Sequence, residues 1–177
     1  MLDYIIRGDQ VVTPGGVGAF DIGIRGEKIV AVAETGVLDD TAGHLIDARG
    51  KIVVPGGIEP HAHVAAPIMG HPGEETAPPP EVSRAALFGG TTTVVDFAIQ
   101  FPGRDIFEAI EERHGRWQGQ SYADYTYHCM LLDQIGSNVM EQIPEVIDAG
   151  FPTFKIFTTI FARTSMTAWP NWDMWPR

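Results

Sequence analysis

Beyond Pro55-Gly56-Gly57 the chain alternates between apolar, β-branched segments and segments of helical pattern, and no other feature of the sequence limits its fold as much. Strand character falls on residues 58–64, 91–99, 125–132 and 152–159. Helical character falls between them. Pro78-Pro79-Pro80 interrupts the chain before a helix near 81–88, which Gly89-Gly90 ends. Asp105 is placed to cap a second helix, with Ile106, Phe107, Ile110 and Trp117 on one face and Glu108, Glu111 and Glu112 elsewhere. Residues 137–149 read as a third helix stopped by Gly150, and Pro144 predicts a kink or a division into two pieces. The order β-α-β-α-β-α-β predicts a parallel sheet with right-handed crossovers.

Residues 1–54 have a different texture. Tyr4-Ile5-Ile6 and Val11-Val12 flank a turn-like Gly8-Asp9. Asp21-Ile22-Gly23-Ile24-Arg25 alternates polar and apolar residues, the period of a half-buried strand. Gly26-Glu27-Lys28 turns the chain, and Ile29-Val30-Ala31-Val32 returns it. Leu45-Ile46-Asp47 and Lys51-Ile52-Val53-Val54 add further strands. The expected division is a small antiparallel β subdomain over 1–54, an α/β region over 55–160, and an irregular Trp/Pro-rich tail over 161–177. A closed (β/α)8 TIM-type barrel has eight strand–helix units in about 250 residues. About four units are legible here, so the expectation is a partial barrel, its first half. The tail sets Trp169, Trp172 and Trp175 beside Pro170 and Pro176, which matches neither a helix face nor a strand. It is expected either to be poorly ordered or to dock its tryptophans on the body.

A net charge of −11 and the lack of any Lys/Arg cluster argue against nucleic acid as a partner. Cys129 is the single cysteine, so no intrachain disulfide can form, which fits a reducing compartment. No apolar run is long enough for a signal peptide or a membrane span, and the expected location is the cytoplasm.

The sharpest chemical signal is Gly56-Gly57-Ile58-Glu59-Pro60-His61-Ala62-His63. In a strand of period two, His61 and His63 project from one face, where two imidazoles can serve one metal ion. A bare His-x-His is also compatible with ordinary surface or core histidines. Its place at the C-terminal end of a strand after Pro-Gly-Gly favours the metal reading, because barrel enzymes build their sites at that end. Lys155 stands out as an ammonium in the apolar run Phe154-Lys155-Ile156-Phe157, where burial without a partner is costly. It either has a specific role or snorkels from a strand end.

These motifs carry a family resemblance. Residues 53–63 resemble the first barrel strand of the amidohydrolase superfamily. The run Ser83-Arg84-Ala85-Ala86-Leu87-Phe88-Gly89-Gly90-Thr91-Thr92-Thr93-Val94-Val95-Asp96-Phe97 is similar to the dihydropyrimidinase/hydantoinase branch. Gly150-Phe151-Pro152-Thr153-Phe154-Lys155-Ile156-Phe157 resembles that branch's fourth strand. The resemblance covers about residues 1–159 with three motifs in order. It implies that His61 and His63 hold the more buried of two divalent metal ions, usually zinc. It also implies that Lys155, carboxylated by carbon dioxide, bridges both metals as a carbamate. The implied reaction is metal-assisted hydrolysis of a small cyclic amide or imide, a dihydropyrimidine or hydantoin ring opening to an N-carbamoyl amino acid. An acidic side chain would carry the proton to the leaving nitrogen.

The resemblance is incomplete. Relatives take two more histidines and a metal-binding aspartate from later strands, and the chain is expected to stop before them. Of the remaining histidines, His44 lies in the β subdomain, His114 on the second helix, His71 in a loop after the first strand and His128 in the third strand. None matches a family ligand. His71 is at most a substitute ligand, and His128 reads as a hydrogen-bonded core residue. Ile160 stands where hydantoinase-type relatives carry an oxyanion-stabilising tyrosine, so that role is vacant or filled elsewhere. Asp96 reads as a support for the site or as a loop cap. Two functional readings follow. One is a cyclic amidohydrolase in truncated, weakly active or inactive form. The other is a non-catalytic assembly subunit or truncated gene product. An open half-barrel exposes a strand edge and an apolar patch, so self-association into a homo-oligomer is expected.

Overall fold

The computed structural model describes residues 1–38, 42–68, 71–101, 103–132 and 137–156. The tail over 161–177 and Ile160 lie outside them. The chain divides into two units, Met1–Pro55 and Gly56–Arg177.

The first unit is one five-stranded sheet of β1 (Tyr4–Thr13), β2 (Gly16–Arg25), β3 (Lys28–Glu34), β4 (His44–Asp47) and β5 (Ile52–Val53). The Gly8-Asp9 pair is not a turn. It lies inside β1, which runs through it with a register irregularity between Gly8 and Val11. The expectation of an antiparallel subdomain holds only for β1–β2–β3, and the sheet as a whole is mixed, because β4 and β5 both pair parallel to β1. Only a tight hairpin forces antiparallel pairing. The sequence has two such turns, after Thr13 and after Arg25. The connection after β3 instead leaves one edge of the sheet and re-enters beside β1 at the other. Asp21 on β2 is fully buried and accepts both Arg7 Nε (2.8 Å) and Arg7 Nη2 (2.9 Å). The guanidinium is the main reason that its carboxyl sits below the usual carboxylate range.

The second unit has β6 (Gly57–Glu59), α1 (Pro79–Phe88), β7 (Thr91–Gln100), α2 (Ile106–Trp117), β8 (Asp124–Leu131), α3 (Ser137–Asp148) and β9 (Phe154–Lys155). Its strands are all parallel, and their spatial order, β6-β7-β8-β9, is their chain order. Each strand therefore returns beside its predecessor through one helix, without the reversal of a doubly wound sheet.

Local chemistry sets these elements. Pro79 opens α1, where a missing N–H costs nothing. Gly90 follows α1 at φ +83°, a left-handed conformation that ends the helix. Gly56 allows a close approach, since a Cβ there would sit 2.1 Å from Thr92 Oγ1. At the start of α2, Glu108 reaches back to the Asp105 N–H (3.4 Å) and Gln142 of α3 accepts the Ile106 N–H (2.9 Å). Pro144 does not divide α3, which is a single helix, and the preceding turn at Met140 is exposed, so water can take the carbonyl that Pro144 leaves without a donor.

The core joins Val94 and Ala98 of β7, Ile106, Ile110 and Trp117 of α2, Cys129 of β8 and Val146 of α3. Each fully buried aliphatic side chain contributes about 1.5–3 kcal/mol. Burial pushes the Cys129 thiol up to about 11. Among the described residues no helix is long and apolar enough to cross a membrane.

Candidate functional site

Strand β6 is shorter than the sequence indicated. It ends at Glu59 because Pro60 has no N–H to extend the ladder. His61 and His63 therefore lie just past the strand, in a segment held by other bonds. The Ala62 N–H donates to Val95 O (3.0 Å) and the His61 N–H to Glu59 Oε1 (2.9 Å). The Thr76 hydroxyl donates to His63 O (2.6 Å). Ala65, at φ +41°, is a strained left-handed residue, and Arg116 Nη1 holds its carbonyl at 3.0 Å.

Phe97 on β7 is the floor of the site. Its ring stacks on His63 (centroids 4.5 Å apart, 14° between planes) and meets His61 edge-on (4.8 Å) and His128 at a tilt (5.2 Å). Lys155 Nζ sits 4.4 Å from the same centroid. The rings of His61 and His63 are 5.3 Å apart, and Lys155 Nζ lies 3.3 Å from His61 Nε2. Residues 94 positions apart thus meet over one aromatic ring. Strand β9 is only Phe154–Lys155, opposite Cys129 and Met130, so Lys155 is the last residue of its strand. The His63 imidazole has its pKa lowered, first by partial desolvation and then by the neighbouring Lys155 and His61 charges. That shift favours the neutral ring, whose nitrogen lone pair can bind a metal.

The structure therefore brings together the three side chains singled out in the sequence. Among the described residues, no three His, Cys, Asp or Glu side chains are grouped to hold a metal ion. The donors at hand are two imidazoles and one amine. Their chemistry fits part of a divalent-ion ligand set once Lys155 loses its ammonium proton.

The other candidates lie elsewhere. Asp96 alternates with Phe97 along β7 and so points to the opposite face, toward α2. It is fully buried and accepts Arg113 Nε (2.6 Å), Trp117 Nε1 (2.8 Å), the Phe97 N–H (2.8 Å) and the Val64 N–H (3.2 Å). Arg113 also donates to Val64 O. Asp96 thus anchors the residue after His63 from behind the sheet. His71 faces Glu74 (3.5 Å) in its loop, His44 stacks on Tyr4, and His114 approaches the Tyr125 hydroxyl (3.5 Å).

Two members of the site escaped the sequence reading. In the sequence Phe97 reads as one more apolar residue of a strand, although it is the common contact of four polar side chains. His128 is hydrogen-bonded as expected, but it stands on the Phe97 face, among the candidate residues. Counting by twos along β8 from the register pair Phe97–His128 would have found it, but that register is not written in the sequence.

Comparison with known proteins places this geometry in a lineage. No family model matches the chain. The D-hydantoinase of Rhizobium radiobacter is 38% identical over 156 residues, covering 88% of this chain and 33% of that protein. The D-hydantoinase of Geobacillus stearothermophilus is 34% identical over 154 residues, covering 86% and 32%. Among solved structures, the dihydropyrimidinase from Brevibacillus agri superimposes with a TM-score of 0.79 at 33% identity, covering 90% of this chain and 34% of that one. A D-hydantoinase crystal structure gives a TM-score of 0.80 at 32% identity, covering 90% and 34%. The chain thus spans about a third of the length of the curated relatives it matches. Sequence and fold agree that this chain belongs to the D-hydantoinase/dihydropyrimidinase branch of the amidohydrolase superfamily and corresponds to its N-terminal part.

Proposed function

We propose that the chain supplies the first metal-binding part of a hydrolase that opens small cyclic amides or imides, such as a hydantoin or dihydropyrimidine ring. His61, His63 and carboxylated Lys155 would hold one or two divalent ions, of which zinc is the expected one. The observation that carries this reading is the approach of Lys155 Nζ to His61 Nε2 at 3.3 Å, beside the His63 ring. The parallel strand order supports reading residues 55–160 as the first half of a (β/α)8 barrel, with this cluster at the C-terminal ends of its strands. Residues 1–54 would then be a separate β subdomain and 161–177 a distinct tail. Among the described residues β6 and β9 are the edge strands, which supports self-association, and the buried single thiol suits a cytoplasmic setting.

A metal held by His61, His63 and Lys155 would supply an acidified water and a Lewis acid for the substrate carbonyl. The rest falls to the protein's own side chains. His61 and His63 offer imidazole nitrogens on a segment fixed by Asp96, Thr76 and Glu59. Lys155 must shed a proton to base in the surrounding solvent before its amine can add to carbon dioxide. The addition forms one N–C bond while one C=O π pair of carbon dioxide moves onto oxygen, and solvent base takes the second proton, so that a cation becomes an anion. Phe97 keeps water from beneath the cluster.

The test is metal analysis of the full chain, together with mass spectrometry of Lys155 in bicarbonate buffer. A bound divalent ion that is lost in His61→Ala and in Lys155→Ala, both still folded by circular dichroism, is the expected result. A folded parent that takes up no zinc, cobalt or manganese overturns the reading.

A further inference from the structure

His128 spans the candidate site from one side to the other. Its Nε2 lies 2.8 Å from the carbonyl of Pro60, the residue before His61, and its Nδ1 lies 2.7 Å from the hydroxyl of Thr153, two residues before Lys155. A carbonyl can only accept, so Nε2 carries the proton. The neutral ring then accepts from Thr153 at Nδ1. Both nitrogens are thus used within the protein, which leaves no lone pair for a metal. The Thr153 carbonyl is held in turn by the Cys129 N–H (3.0 Å), so the tie lies on the β8–β9 ladder. The ring is half-buried and its centroid is 5.2 Å from that of Phe97.

We propose that His128 is a positioning residue that sets the distance between His61 and Lys155. His61 follows β6 and Lys155 ends β9, and these strands are not neighbours, since β7 and β8 lie between them. No backbone ladder fixes their separation directly, and His128 joins the segments that carry them through one rigid, planar ring. The inference rests on the metal-site reading for its functional meaning, although its geometric content does not.

The test compares His128→Phe, which keeps ring and volume but loses both hydrogen bonds, with His128→Gln, which can donate to Pro60 again. In the metal-free full chain, imidazole 15N resonances of His61 are expected to move in His128→Phe and to return toward the parent in His128→Gln. With cobalt(II) as the probe, His128→Phe is expected to bind about 10–100-fold more weakly, with an altered visible spectrum, and His128→Gln to recover part of the loss. Circular dichroism and the urea midpoint identify any variant that has merely unfolded, in which case Thr153→Val, which cuts one arm of the tie, replaces it. Unchanged His61 resonances in a folded His128→Phe chain overturn the inference. If those resonances move but the parent binds no cobalt, the positioning role stands and the metal reading falls.

Discussion

Arg113 and Asp96 form an ion pair of 2.6 Å between α2 and β7, with Asp96 fully buried and Arg113 nearly so. Removing one partner of such a pair leaves a charge buried without compensation, at a cost of about 3–5 kcal/mol. Asp96→Asn is therefore expected to lower the urea unfolding free energy by that amount. The double variant Asp96→Leu/Arg113→Met should regain much of the stability. It should not regain metal affinity, because the bonds to Val64 beside His63 are gone. Urea titrations combined with cobalt binding separate the two effects.

Acid should weaken the five-stranded sheet through Asp21. The Asp21 carboxyl is depressed in the folded protein, so its contribution to stability is complete above the unfolded value of about 3.9 and is lost as pH falls through the lower folded value. Asp21→Asn is expected to be less stable than the parent at pH 7, with the gap closing as pH drops below about 4. Thermal melts at pH 7 and pH 3 test this, and a constant gap would rule it out.

Lys155→Arg keeps the cation over Phe97 but cannot become a carbamate. Circular dichroism and melting temperature should match the parent while metal uptake disappears. Retained uptake would assign the metal to the two histidines alone.

Phe97→Ala removes the shared contact of His61, His63, His128 and Lys155. The expected cost is about 3–5 kcal/mol of stability, whereas Phe97→Leu should cost less and preserve part of the metal affinity. Denaturant midpoints and isothermal titration with zinc provide both measurements.

Much of this arrangement was legible in the residues. Pro55-Gly56-Gly57 marks the change of texture, and β-branched segments separated by helical ones dictate a parallel sheet. The Gly89-Gly90 stop, the Asp105 cap and the pairing of His61 with His63 need only local chemistry, whereas the return bond from Glu108 to Asp105 emerges only in the structure. Long-range pairing was less accessible. That β4 and β5 run parallel to β1 depends on where a connection re-enters the sheet, which no local pattern encodes. Phe97 and His128 look like core residues until the register of β7 and β8 puts them side by side. The role of Asp96 as an anchor behind the sheet depends on α2 packing there, which a strand pattern alone does not specify.

The parallel sheet is laid down in the order in which a ribosome would deliver it. At about 5–20 residues per second, each new strand of β6-β7-β8-β9 emerges to find its only required template already made. The growing edge is always the newest strand, so the sheet can be zipped vectorially, with no earlier strand waiting for a later one to be inserted between its neighbours. Of the four described polar side chains that meet the Phe97 ring, Lys155 is the last to be made.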